Sequence, residues 1–176
     1  MDAVARRLFF ALWPDDEVRV ALYRPSSRVR LRHGRWVRPE NLHVTLVFLG
    51  AVDAAQRACV EAAADAIRGR SFTLLLDRSG WWRRPQVLWA GASEIPEPAL
   101  ELVKALQAGC EACGFEREAR AFRVHATLAR KVVVEPPPLE LPPVHWQVRG
   151  FVLVESTLAP GGSDYRVVRT WPLAGG

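Results

Sequence analysis

The sequence predicts an α+β fold with largely antiparallel sheets. Three observations carry this. Strand-like apolar runs outnumber helical ones, the two kinds do not alternate as βαβ units would, and two pairs of strand candidates are joined by turn-rich segments. The 176 residues are 49% hydrophobic and 24% charged, which suits one compact domain with a sizeable core and excludes intrinsic disorder.

The elements follow in order. Leu8 to Trp13 is a short apolar run ended by Pro14, a buried strand. Asp15, Asp16 and Glu17 open a short helix to about Tyr23. Residues 24 to 36 carry Arg24, Arg28, Arg30, Arg32 and Arg35 with Pro25 and Gly34, an exposed basic loop that reads equally as a solvated face or as a substrate-contacting loop. Leu42 to Leu49 is a strand stopped by Gly50, and Asp53 caps a helix to about Arg68. Phe72 to Asp77 and Gln86 to Ala92 are strands joined by a long loop over 78–85. A second long helix runs from about Glu97 to Cys113 and is closed by Gly114. Val124 to Ala129 is a strand, and the prolines of 136–143 make a stiff connection. Val144 to Glu155 and Tyr165 to Trp171 are strands around Pro160-Gly161-Gly162, with a frayed tail at 174–176.

The net charge is +5, and it is uneven: residues 1–88 hold 15 basic and 9 acidic side chains, residues 89–176 hold 9 and 10. A basic surface suggests an anionic partner without naming it. No apolar run approaches the roughly 20 residues that span a bilayer, and the start has no cleavage-site pattern, so neither a membrane span nor a secretory signal is expected. Three cysteines do not make a disulfide framework, which points to a reduced, cytoplasmic setting. Cys110-Glu111-Ala112-Cys113 has no second pair and reads as ordinary helix packing.

One tetrapeptide recurs. His43-Val44-Thr45-Leu46 reappears 82 residues later as His125-Ala126-Thr127-Leu128, and chance gives such a pair with odds of roughly one in ten thousand. On a strand, residues i and i+2 share a face, so each His projects with its Thr while the intervening residues pack behind. Two imidazoles, with ordinary pKa values near 6.5, can act as base and acid on opposite sides of a reacting centre. Two hydroxyls can donate to anionic oxygens between them. A phosphodiester is the natural occupant. Without carboxylates or thiolates in ligand spacing the histidines make a poor metal set, and no nucleotide-binding or hydrolase loop is present, so neither metal nor cofactor is expected. His33 and His145 lack the Thr partner and read as loop and strand residues.

These residues resemble the two-histidine (2H) phosphoesterases, and within them the RNA 2′,3′-cyclic phosphodiesterases, also called 2′-5′ RNA ligases. The likeness runs through Arg7 to Pro14, Trp36 to Leu46, Leu88-Trp89, Phe122 to Arg130 and Val154 to Ser156. It implies one domain over residues 1–176 made of two half-unit lobes, with two pseudo-twofold-related antiparallel sheets, outer helices and a central cleft holding both motifs. It implies metal-independent hydrolysis of RNA 2′,3′-cyclic phosphate ends to 2′-phosphates, with 2′-5′ ligation of tRNA halves as the reverse direction. By the family's pattern His125 is the general base and His43 the general acid, an assignment the sequence symmetry leaves open to exchange. Thr45 and Thr127 would hold non-bridging oxygens.

Arg130, five residues after the second His, could contact phosphate; Phe48, at the matching place after the first, could stack a base. Their odd offset requires the strand to end or bulge first. Only one of Phe9 and Phe10 can face the cleft, and Tyr165 is a weaker stacking candidate. Two rival readings stay open: a cyclic phosphodiesterase for a small nucleotide metabolite, and a non-catalytic RNA-end binding module. Nothing demands an obligate protein partner, so a monomer is expected.

Overall fold

A computed structural model describes residues 6–175. The leader reading rests partly on residues 1–5, which lie outside the described residues. The fold is α+β with antiparallel sheets, as the sequence predicts. The strands are β1 (Arg6–Leu12), β2 (Arg35–Trp36), β3 (Val44–Val52), β4 (Phe72–Leu76), β5 (Arg78–Trp82), β6 (Val87–Gly91), β7 (His125–Arg130), β8 (Val144–Val148), β9 (Gly150–Ala159) and β10 (Gly162–Pro172). The helices are α1 (Asp16–Ser27), α2 (Ala54–Asp65) and α3 (Glu97–Ala112).

An eight-stranded sheet runs β10-β9-β1-β3-β7-β6-β5, with β2 also on β7, and β4-β8 form a second sheet. All named pairs are antiparallel. The large sheet has two halves that meet where β3 and β7 pair at Val44–Ala126. Each half draws on distant parts of the chain: β9 and β10 complete the half holding β1 and β3, while β2 joins β7.

The helices cover one sheet face. Val18 and Leu22 of α1, Val60 of α2 and Leu102, Val103 and Leu106 of α3 share a core with Phe10, Leu12, Val44, Leu46, Ala126 and Leu128. The opposite face of β1 carries Phe9 and Ala11, packed with Val152, Val154, Trp13 and Tyr165. Phe9 is therefore the cleft-side member of its pair and Phe10 the core member, touching Phe151 and Trp171.

Several boundaries differ from expectation, each for a physical reason. Helix α1 starts on its Asp15 cap but continues past Tyr23 and through Pro25, with the Ser26 hydroxyl donating to the Leu22 carbonyl at 2.7 Å. Gly50 does not stop β3. It takes φ +74 at an irregularity where β1 and β3 shift register, and the strand continues to Val52. Helix α2 has the predicted Asp53 cap, closed into a capping box by Gln56, and ends at Asp65. The segment 78–82 is strand β5, paired with β6, rather than loop. Gly80 looks like a turn residue, but it is there because the Trp89 ring lies over it: a Cβ would sit 2.4 Å from Trp89 Cζ2. The run 144–155 breaks at Arg149 into β8 and β9, which belong to different sheets. Ala174 is tied down, accepting from Ser71 N at 2.7 Å and donating to Gly69 O at 2.9 Å, so the tail is not frayed there. Cys59 and Cys113 form a disulfide that links α2 to the end of α3, correcting the expectation of three reduced thiols; Cys110 stays free and buried.

Candidate active site

Both motifs lie where the two halves of the large sheet meet. Val44 and Ala126 are fully buried on the helix side, while His43, Thr45, His125 and Thr127 are half-buried on the other face. Antiparallel register through the Val44–Ala126 pair sets His43 against Thr127 and His125 against Thr45. Each His-Thr unit thus faces the other across the junction.

The two imidazoles are held in the same way. His43 Nδ1 lies 2.7 Å from the Asn41 carbonyl, and His125 Nδ1 lies 3.1 Å from the Arg123 carbonyl. A carbonyl can only accept, so each Nδ1 carries the proton and donates it, leaving Nε2 free to exchange protons with a ligand. Their surroundings differ. His43 sits among aromatic rings: Trp13 stacks at 5.5 Å, Phe9 lies at 4.9 Å and Tyr165 presents an edge at 5.1 Å. His125 meets Trp82 edge-on at 4.8 Å, and Trp82 in turn leans on Trp89.

Burial pushes the His43 pKa down to about 4; the Asn41 carbonyl opposes this, and the positive charges of Arg130 and His125 add to it. His125 is also lowered, mainly by burial, with Arg130 adding to it against the Arg123 carbonyl. Both shifts favour the neutral ring over the charged one.

A cavity of about 280 Å³ opens beside His43. Thr127 and Arg130 line it, together with Arg35, Arg38, Asn41, Tyr165 and the tip of the β9–β10 turn. Arg130 reaches this face because β6 and β7 shift register: Trp89 pairs with Thr127 and Leu88 with Ala129, so Leu128 is bulged and the alternation resets. Phe48 does not line the cavity. It is 58% exposed, with the Arg7 guanidinium 5.6 Å above its ring. Sequence reasoning named Arg35 only as one of the basic loop residues and did not single out Trp13, Trp82 or Arg38. Trp13 was legible as the end of the run that holds Phe9; Trp82 was hidden by reading 78–85 as a loop.

Paired His-x-Thr strands across one cleft are the arrangement of the two-histidine phosphoesterase class. The LigT like Phosphoesterase family model matches residues 12–89 and 91–165. A relative from Escherichia coli (strain K12), named RNA 2′,3′-cyclic phosphodiesterase, is 33% identical over 174 residues, covering 96% of this chain and 97% of that protein. One of the same name from Thermus thermophilus is 34% identical, covering 96% of this chain and 91% of its own length. The crystal structure of E. coli LigT in apo form superposes with a TM-score of 0.85 at 32% identity, over 98% of this chain and 99% of that one. The same protein complexed with 3′-AMP gives 0.85 at 32% identity, over 96% and 98%. The chain belongs to the LigT-like phosphoesterase family.

Proposed function

We propose that this protein hydrolyses RNA 2′,3′-cyclic phosphate ends to 2′-phosphates by acid–base catalysis between His43 and His125, without a metal. The observation that carries the reading is the matched pair of imidazoles, each fixed through Nδ1 to the carbonyl two residues before it, on one face with two threonines. The names of the relatives supply the substrate class.

Water attacks phosphorus in line with the 3′ oxygen. His125 Nε2 takes the water proton as the new P–O bond forms. The P–O3′ bond breaks, and His43 Nε2 gives its proton to the departing O3′, leaving a 2′-phosphate and a 3′-hydroxyl. A phosphodiester anion between the rings raises their pKa values, so His43 takes up its proton as substrate binds. The Thr45 and Thr127 hydroxyls donate to the non-bridging oxygens, and Arg130 neutralises charge developing there. With the 5′-hydroxyl of a second RNA end in place of water, the same steps open the cyclic phosphate into a 2′-5′ bond and a 3′-hydroxyl, the ligation of tRNA halves. Phe48 under Arg7 offers RNA a stacking surface farther out.

The proposed unit is one domain whose two lobes each supply a His-Thr pair, a monomer working in the cytoplasm. Among the described residues no helix is long and apolar enough to cross a membrane. The surface Cys59–Cys113 bond is open to reduction in that compartment, and neither cysteine lines the cavity.

The test is hydrolysis of nucleoside 2′,3′-cyclic phosphates in the presence of chelator, with the phosphate isomer identified. A 2′-phosphate and retained activity are expected; a 3′-phosphate, or activity lost with metal, overturns the mechanism. His43→Ala and His125→Ala should each lower kcat by about 10²–10⁴-fold with binding largely kept.

A further inference from the structure

The cavity lies to one side of the reacting centre. His43 and Thr127 line it, but His125 and Thr45 do not, and it extends toward the tip of the β9–β10 turn. At that end stand two guanidinium groups to which hydrolysis assigns no task. Arg35 Nη1 donates to the Gly161 carbonyl at 3.0 Å, and Arg38 is paired with Asp164. Asn41 Nδ2 donates to the Ser163 carbonyl of the same turn at 3.0 Å. Gly162, at φ +130, turns the chain there, and its open side leaves room for the Arg35 head, whose Nη2 would be 3.8 Å from a Cβ.

The charge of the cavity is one-sided. Arg35, Arg38 and Arg130 line it, and no carboxylate does; Asp164 and Glu40 touch Arg38 without lining the cavity, Glu40 at 3.6 Å. Arg130 reaches the cavity through the bulge at Leu128, close to Thr127, so it belongs to the reacting phosphate. Arg35 pairs with Arg130 across β2 and β7, but its head is turned to the Gly161 carbonyl, beside the turn where Arg38 meets Asp164. A guanidinium presents paired N–H donors that match phosphate oxygens, and these two at the β9–β10 turn suit a second phosphate next to the one Arg130 serves. At about 280 Å³ the cavity is near the lower end of ligand-site volumes, enough for part of one nucleotide.

We propose that Arg35 and Arg38 hold the phosphodiester on the 5′ side of the terminal nucleotide. The preferred substrate is then an RNA end of two or more nucleotides, not a free nucleoside 2′,3′-cyclic phosphate. This deepens the function proposed above and rests on it.

The Arg38–Asp164 pair gives the test a sign. Arg38→Ala and Asp164→Asn break the same contact, but the first removes a cation from the cavity and the second removes the anion that offsets it. The measurement is kcat/KM on uridine 2′,3′-cyclic phosphate and on a uridine dinucleotide with the same end. The wild type should favour the dinucleotide by about tenfold or more, the worth of one charge-assisted hydrogen bond. Arg38→Ala should erase most of that ratio, and Asp164→Asn should raise it. If both variants lower the ratio, the pair only holds the β9–β10 turn, and the proposal fails. It fails equally if neither variant moves the ratio or if the wild type shows no preference for length. No hydrolysis of either substrate by the wild type would instead refute the function itself, and the proposal with it.

Discussion

His43 makes the folded protein sensitive to acid, and the effect can be isolated. Its ring is folded neutral among Phe9, Trp13 and Tyr165, with a pKa of about 4 against an ordinary 6.5. The unfolded chain therefore binds a proton that the folded chain refuses between those two values. Stability is fully present above pH 6.5 and is lost as pH falls toward 4. At roughly 1.36 kcal/mol per pH unit, the whole loss is about 3 kcal/mol, with about 1.4 kcal/mol gone by pH 5.5 and about 2.5 by pH 4.5. His43→Gln removes the titration while keeping an amide that can donate to the Asn41 carbonyl. Urea unfolding of both proteins at pH 7, 5.5 and 4.5 gives the comparison. The variant should lose about 2.5 kcal/mol less than the wild type between pH 7 and 4.5. Parallel pH dependence, or a His43 ring resonance titrating above pH 6, would refute the reasoning.

Other outcomes follow from the same geometry. Because both histidines are lowered, chiefly by burial, the singly protonated free enzyme prevails on the acid side of pH 6.5. A kcat/KM profile should peak there and fall as pH rises; Arg130→Gln should move the peak upward and reduce its height by about 10–100-fold. Cys59→Ser opens a link across 54 residues, and urea unfolding should show a loss of about 2–4 kcal/mol, matched by adding reductant to the wild type but not to the variant. Gly80→Ala forces a methyl against the Trp89 ring and should cost about 1–3 kcal/mol by thermal or urea unfolding.

The site was legible in the sequence because its chemistry repeats locally. His and Thr two residues apart state a shared strand face, and that face is where the structure puts them. The Asp53 cap was legible for the same reason, being a contact over three residues, and the acidic start at Asp15 to Glu17 marked the first helix, which Asp15 caps over the same spacing. What could not be read depends on residues far apart. Gly80 reads as a turn until Trp89 is laid over it. Arg149 reads as mid-strand until β8 and β9 go to different sheets. Arg130 faces the site only through the bulge at Leu128, set by pairing with β6. The cage around His43 joins Phe9 and Trp13 to Tyr165, more than 150 residues from either.

That interleaving governs how the protein emerges from a ribosome. Strand β1 is flanked by β3 and β9, and β9 by β10. A nascent chain ending before residue 150 exposes one full edge of β1 and has nothing to close the Tyr165 side of the cage. Such long-range pairing makes assembly slow and leaves an open strand edge for neighbouring chains to adhere to. The motifs repeat along the chain, but the two histidines come into service together, late in synthesis.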